Sequence, residues 1–269
     1  MTTLQKIIKY FAIAVAIGLI VSIIGGIAGV AGLFGGSLGD EGVSDTVKEY
    51  TVGSQIRDLE IEINAADLTI QYAQDFRVES NLAYLDVSDE NGCLSITETR
   101  KKGLRYEDAM LTLYIPEGFA FEEVEINTGA GELTAEVLNA GALTLDLGAG
   151  KVEIGQLNAS EEAVINGGAG AVTISGGVLN DLDLDMGVGE LDMTAALLGE
   201  SELNYGVGKA ELTLLGTKED YTVTFNKGLG SAVIDGRSVD DGAMVGTGTN
   251  RVEIDGGVGA SKVSFREIS

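Results

Sequence analysis

The fold of this chain is decided by a short unit, seen in Leu145-Asp146-Leu147-Gly148-Ala149-Gly150-Lys151-Val152-Glu153-Ile154. A Gly-x-Gly core has a large apolar residue three positions before its first glycine and mostly apolar residues two and four positions after its second. The glycine pairs are Gly129 and Gly131, Gly148 and Gly150, Gly168 and Gly170, Gly187 and Gly189, Gly206 and Gly208, Gly228 and Gly230, and Gly257 and Gly259. Their first glycines are 19, 20, 19, 19, 22 and 29 residues apart, and such a period indicates a repeat architecture.

Apolar and other residues alternate around each glycine pair, which predicts strands with one buried face. The residues three positions before the first glycines are predicted to be buried: Ile126, Leu145, Ile165, Leu184, Leu203, Phe225 and Ile254. Glycine permits tight corners and close backbone approach. We therefore predict an all-β, single-stranded β-solenoid, in which strand, glycine corner, strand and second corner lead to the next rung. The second corner is predicted at Leu138-Asn139, Leu157-Asn158, Leu179-Asn180, Leu198-Gly199 and Leu215-Gly216.

The glycine pairs have an alternative interpretation as a phosphate cradle. Such a cradle requires a helix N-terminus after the glycines, whereas strand patterns follow them here. We interpret all fourteen glycines as structural corners and predict no nucleotide cofactor.

Composition excludes several classes of function. The net charge of −25 would repel nucleic acid, so no nucleic-acid partner is expected. The chain has no His and one Cys, which excludes imidazole catalysis, His-ligated metal sites and an internal disulfide. Paired carboxylates could still support a β-helical polysaccharide lyase or hydrolase, but no carboxylate cluster breaks the repeat. We predict no catalytic, cofactor or metal residues and no enzyme activity.

The N-terminal region is apolar from residue 7 to residue 34, with Lys6 and Lys9 at its start. This length exceeds the roughly 20 residues that cross a bilayer, and the positive-inside rule places the N-terminus in the cytoplasm. We predict a single-pass anchor in the cell membrane with residues 40–269 outside; a cleaved signal peptide is the alternative. Gly25 and Gly29 form a GxxxG that favours helix-mediated self-association, although simple glycine richness also explains it.

Four segments follow from these patterns: a membrane anchor at 1–36, a glycine-rich flexible tether at 37–55, N-terminal strands and a cap at 56–123, and regular repeats at 124–269. Ala65-Ala66-Asp67-Leu68-Thr69-Ile70 occupies the place that the glycine unit takes later. A basic patch at Arg100-Lys101-Lys102 and Arg105 is interpreted as a solvated loop or as a docking element for a partner.

Stacking in register makes specific predictions about charge. Glu132 would lie beside Lys151, Glu190 beside Lys209, and Asp192 beside Glu211 as a like-charged pair. Asp181, Asp183 and Asp185 would share one outward face, as a solvated acidic surface or as a weak Ca²⁺ site.

One run of residues also resembles a known family. Ile115-Pro116-Glu117-Gly118-Phe119, then Val124-Glu125-Ile126-Asn127-Thr128-Gly129-Ala130-Gly131 and the glycine-cornered repeats resemble the DUF4097 β-strand-repeat family, an adhesin-like or toastrack-like domain of bacterial membrane-anchored proteins. Leu59–Ile70 resembles its opening strands, and the resemblance covers roughly residues 50–269. It implies an extracytoplasmic β-solenoid, often associated with cell-envelope stress systems, and supplies no catalytic residues.

These observations predict a non-enzymatic, membrane-anchored binding or adhesin-like module at the cell surface. The alternative is an accessory subunit of an envelope-stress signalling or transport complex, whose partner would be a membrane protein or another envelope component.

Overall fold

The computed structural model describes residues 42–53, 55–99 and 108–267. Within these ranges fifteen strands join in one sheet, which confirms the all-β prediction. The strands are β1 (Val43–Thr51), β2 (Asp58–Ala65), β3 (Asp67–Ala73), β4 (Arg77–Leu82), β5 (Leu85–Glu90), β6 (Cys93–Glu98), β7 (Met110–Pro116), β8 (Phe121–Ile174), β9 (Gly177–Asn180), β10 (Leu182–Leu198), β11 (Glu200–Leu215), β12 (Tyr221–Ile234), β13 (Arg237–Ser238), β14 (Ala243–Gly246) and β15 (Asn250–Arg266).

No helix in the described ranges is long and apolar enough to cross a membrane. The predicted anchor at 7–34, its GxxxG and the basic patch at 100–105 lie outside those ranges.

The repeats stack as parallel rungs with their glycine corners aligned. β8 winds through three rungs, because its glycines 129, 148 and 168 lie against one another in turn. β10 continues the stack with Gly189 beside Gly170, and β11 follows with Gly208 beside Gly189. One register therefore holds across the central rungs.

The core lies along the inner side of the rungs. The residues three positions before the first glycines, Ile126 to Ile254, are all 1% exposed or less. The positions two and four after the second glycines are also buried, including the polar Ser261. These burials confirm the prediction that the alternating pattern buries one face of each strand.

The order of the rungs departs from the chain order at both ends. β2 and β3 lie between β8 and the later strands β6 and β7. At the other end β15 lies between β11 and β12, so the last described rung is inserted inside the stack. β13 and β14 then pair antiparallel with β12 on its outer edge. The expectation that each rung leads to its neighbour in space is wrong at these places.

Part of the predicted tether is a strand. Residues 43–51 form β1, which pairs antiparallel with β4, as in Tyr50 beside Val78. The reason is that the outer edge of β4 offers unpaired main-chain groups, and Val43 and Tyr50 of β1 pack against the core. The flexible-tether prediction is therefore wrong for these residues.

The second corner does not form the predicted column. Asn158 donates from Nδ2 to Asn139 Oδ1 at 2.8 Å, so the first two corners match. Leu157, however, lies beside Gly177, and Leu179 lies beside Ala159 and Leu197. Leu179-Asn180 therefore lies two residues beyond the place of Leu157-Asn158, and Leu198 lies beside Asn180 and not beside Leu179, so both later corners are out of the predicted alignment.

The opening rung follows the predicted register. Ala65 pairs with Ala130 and Leu68 with Leu133, which confirms that Ala65–Ile70 takes the place of a glycine unit.

Candidate functional site

The predicted corner glycines form two columns, one per glycine of each pair. The spatial order follows the rungs: glycines 129 and 131, 148 and 150, 168 and 170, 187 and 189, 206 and 208, 257 and 259, and 228 and 230. A Cβ on Gly189 would overlap the carbonyl oxygen of Gly170, and its φ of 154° also disfavours a side chain. The columns are packed main chain, with each corner resting on the carbonyl groups of the rung beside it.

The glycine columns end at the opening rung, where Asn64 and Ala66 take the place of the glycine pair. A Cβ on Gly129 would meet the carbonyl of Asn64, and one on Gly131 that of Ala66. On the other side of this rung no glycine pair lies among the described residues, where β6 ends at Glu98 and β7 begins at Met110. The Glu98 carboxylate instead accepts a hydrogen bond from the Asn64 backbone nitrogen at 2.7 Å.

The strand segments before the glycine corners carry the most regular exposed feature of the described residues. Two positions before every first glycine stands Asp or Asn, and Glu62 occupies that place in the opening rung. In spatial order the column alternates strictly between acid and amide: Glu62, Asn127, Asp146, Asn166, Asp185, Asn204, Asp255 and Asn226. We call this column the acid–amide ladder.

Hydrogen bonds orient the amides of the ladder toward carboxylates. Asn166 donates from Nδ2 to Asp146 Oδ1 at 2.7 Å across neighbouring rungs. Asn226 donates to Glu253 Oε1 at 2.7 Å, and Asn204 donates to Glu202 Oε1 at 3.1 Å. Carboxylates on neighbouring strands would repel one another at this spacing, and the hydrogen bond from each of these amides offsets part of that repulsion.

A second column beside the ladder concentrates negative charge. Asp183 pairs with Glu202, and Glu202 with Glu253, so three carboxylates lie on consecutive strands. Burial raises the pKa of Asp183, and the neighbouring charges of Asp185, Glu202 and Glu162 raise it further. We call the ladder and this column together the acidic face.

The strand segments after the corners carry lysines among their acids. Lys151 contacts Glu132 at 3.1 Å and Glu153 at 2.8 Å, which confirms the predicted Glu132–Lys151 pair. Lys209 contacts Glu211 at 3.2 Å. Glu190 lies beside Lys209, and Asp192 lies beside Glu211, as predicted.

Glu211 shows the effect of neighbouring lysines on the pKa of a single carboxyl group. Hydrogen bonding and charge from Lys209, with added charge from Lys262, lower its pKa. We call this side of the rungs the mixed face.

Asp181 and Cys93 are two further candidate sites for chemistry. Asp181 sits at a corner with φ of 42°, and its Oδ1 accepts a hydrogen bond from the Glu200 backbone nitrogen at 2.8 Å. Within the described ranges no three Asp, Glu, Cys or His side chains are grouped to hold a metal ion. Burial and nearby acids raise the pKa of Cys93, which disfavours its reactive thiolate. Asp183 and Asp185 therefore contribute charge to the acidic face, whereas Asp181 lies at a corner and does not share that face as predicted.

The sequence analysis missed the ladder, although its signal was present. Asp or Asn at the position two before each first glycine is as regular as the glycines themselves. The alternation becomes visible only in spatial order, because chain order would place Asn204 beside Asn226.

Solved structures that match this chain share little sequence with it. A "putative adhesin" from Parabacteroides distasonis has 14% identity and a TM-score of 0.43, covering 82% of this chain and 96% of that one. A "putative cell adhesion protein" from Clostridium sporogenes has 16% identity and a TM-score of 0.36, covering 82% and 99%. A "putative lipid binding protein", also from Parabacteroides distasonis, has 15% identity and a TM-score of 0.38, covering 80% and 96%.

Among curated proteins no match was found. The family described as Toastrack DUF4097 matches residues 56–238, which is more than half of the chain. The chain therefore belongs to the Toastrack DUF4097 family.

Proposed function

We propose that this protein is a non-enzymatic, membrane-anchored binding module whose acidic face contacts a basic protein surface. In this proposal the apolar segment 7–34 anchors the chain in the cell membrane, and the repeats form a β-solenoid displayed on the extracytoplasmic side. Helix-mediated self-association through Gly25 and Gly29 remains a prediction of the sequence.

The observation that carries the proposal is the difference between the two faces of the same rungs. The mixed face pairs Glu132, Glu153 and Glu211 with lysines, although Asp192 lies beside Glu211. The acidic face keeps like charges on adjacent strands, as in Asp183 beside Glu202, at a cost in repulsion of about 0.2–1 kcal/mol per pair. A basic partner would relieve that repulsion, and electrostatic complementarity of this kind favours fast and specific encounter.

The chemistry of the face also narrows the partner. Carboxylates in rows repel nucleic acid and anionic lipid headgroups. Side-chain amides between the carboxylates can donate and accept hydrogen bonds. A protein surface that presents Lys or Arg with main-chain groups matches both features.

The test compares full-length chains purified from membranes in detergent, with their co-purified proteins quantified by mass spectrometry. One variant carries Asp146→Asn, Asp185→Asn and Asp255→Asn, which leaves shape and removes three charges from the ladder. The matched control carries Glu136→Gln, Glu190→Gln and Asp192→Asn on the mixed face. We expect a defined set of partners to be lost from the ladder variant and retained by the control. An identical set in all three samples would refute the proposal.

The identity of the recovered material separates the two functional hypotheses. An integral membrane protein of the same cell would favour the accessory-subunit function. Surface proteins of other cells would favour adhesive display.

A further inference from the structure

The position of β15 carries an inference that is independent of the acidic face. β15 follows β12 in the chain, yet it lies between β11 and β12 and pairs in parallel with both. The connecting residues 235–249 form β13 and β14 on the outer edge of β12. In chain order, β12 thus forms the outer rung first, and β15 afterwards forms the rung between β11 and β12.

The repeat pattern alone would also let β12 stack directly on β11. Both strands carry the glycine pair and the same buried offsets, with Leu203 matching Phe225 and Leu212 matching Ile234. β12 and β15 therefore both fit the place beside β11 by their pattern, and specific side-chain contacts favour one of them.

Three neighbour pairs favour β15 at that place. Tyr205 lies beside Gly256, where a Cβ would come within 2.7 Å of the Tyr205 hydroxyl oxygen. With β12 there instead, Tyr205 would face the side chain of Lys227.

The other two pairs involve charge. Glu211 lies beside Lys262, 3.9 Å from carboxylate oxygen to Nζ, and Asn204 lies beside Asp255. In chain order Glu211 would face Val233, and the ladder would place two amides side by side.

We infer that β15 is an exchangeable strand, and that the place between β11 and β12 accepts β15 from a second copy of this chain. Its contacts are parallel main-chain ladders and the three neighbour pairs above. Only residues 247–249 join β14 on one edge of β12 to β15 on the other, so β13 and β14 move with β15 and the chain crosses between copies at Asp235-Gly236. β12 is synthesised before β15, so an edge of β11 or β12 stays open until a β15 arrives, and open edges recruit strands from other chains. Copies held in one membrane would meet at high effective concentration, and reciprocal exchange of β15 gives a closed dimer.

Disulfide trapping in full-length chains tests the inference, with Cys93→Ser as the background. The double variant Glu202→Cys with Glu253→Cys joins residues that are direct neighbours in the sheet. It should form an intrachain disulfide. Glu202→Cys with Thr224→Cys should not, because β15 separates these residues and their Cα atoms exceed the roughly 7 Å limit for a disulfide.

Exchange is then measured by co-producing two differently tagged copies, one with Glu202→Cys and the other with Glu253→Cys. We expect a heterodimer linked by Cys at 202 and 253 to form several-fold above the control combination of Glu202→Cys and Thr224→Cys copies. If the intrachain disulfide forms while the heterodimer stays at the control level, β15 is not exchanged and the inference fails. An intrachain 202–224 disulfide would instead refute the rung order.

Discussion

Asn204 of β11 lies directly beside Asp255 of β15, and Asp255 lies in turn beside Asn226 of β12. This relationship joins the order of the rungs to the chemistry of the surface. Only when β15 is inserted between the two earlier strands does the exposed column alternate between acid and amide along its whole length. The order of the rungs and the acid–amide alternation of the surface therefore support each other.

The ladder predicts a specific response to added charge. Asn166→Asp would place three carboxylates on adjacent strands, at residues 146, 166 and 185, and would remove the hydrogen bond from Asn166 to Asp146. We expect the free energy of unfolding to fall by about 0.5–2 kcal/mol at low salt and by less at high salt. Urea denaturation at two ionic strengths measures this. The control Asn166→Ser loses the hydrogen bond without adding charge, so an equal salt response in both variants would contradict the explanation.

The glycine columns predict that alanine lowers the free energy of unfolding much more at Gly189 than at Gly118. Gly189→Ala would drive a methyl group into the carbonyl of Gly170, so we expect a loss of about 3 kcal/mol or more. Gly118 also has positive φ, at 73°, but a Cβ at this position would meet no neighbouring atom within 4 Å. Gly118→Ala should therefore cost only the backbone strain of about 1–2 kcal/mol. Urea denaturation measures both losses. If Gly189→Ala and Gly118→Ala lost similar free energies of unfolding, backbone strain and not overlap with the neighbouring carbonyl would explain why the columns are glycine.

Tyr205 predicts loss of stability at alkaline pH. Its hydroxyl is buried with no hydrogen-bond partner among the described residues, and burial, with the charge of Asp255, raises its pKa to about 12. An unfolded tyrosine ionises near pH 10, so this contribution is complete below about pH 10 and is lost as pH rises toward 12. The loss reaches about 3 kcal/mol.

Tyr205→Phe should abolish that loss and leave stability at pH 7 equal or slightly higher, since the unpaired hydroxyl is removed. Tyr221→Phe is the control, because the Tyr221 hydroxyl donates to the Leu215 carbonyl at 2.6 Å. It should cost about 1 kcal/mol at pH 7. Absorbance titration of tyrosinate with denaturation at pH 7 to 12 measures both, and an unchanged alkaline profile in the Tyr205 variant would count against the assignment.

The two faces predict opposite effects of removing one carboxylate charge. Because the pKa of Asp183 is raised, its ionisation opposes folding at neutral pH, and Asp183→Asn should raise stability by about 0.2–1 kcal/mol there. That gain should vanish as pH falls below the carboxyl range. Because the pKa of Glu211 is lowered, Glu211→Gln should reduce stability at neutral pH, and the difference should also vanish in acid. Thermal unfolding from pH 3 to 7 measures both, and effects of the same sign would contradict the assignment of the faces.

Much of the fold follows from the sequence because each repeat has the same buried positions and the same glycine pair. Fixed offsets around Gly148 and its equivalents predicted the buried residues and the register of the central rungs. The charge pair of Glu132 and Lys151 followed from that register. These features depend on neighbours close to one period apart in the chain.

The order at the ends could not be read from the pattern, since β12 and β15 satisfy the same offsets beside β11. Their placement depends on Tyr205 fitting against Gly256 and on Glu211 reaching Lys262, which are relationships between distant segments. The second corner was misplaced because the Leu-Asn pair at 179–180 lies two residues beyond the strand position of Leu157-Asn158, while the glycine pairs keep their register. The strand at 43–51 was missed because its pairing depends on the open edge of β4 and not on its own composition.

The most direct test of the central claim is photo-crosslinking in cells from two positions on β10. A photoreactive residue at Asp185 probes the acidic face, and the same residue at Asp192 probes the mixed face of the same rung, with both side chains exposed. We predict that Asp185 yields a crosslinked protein with a basic surface and that Asp192 yields markedly less of it. Equal recovery from both positions, or recovery from Asp192 alone, would contradict the assignment of the acidic face as the contact surface.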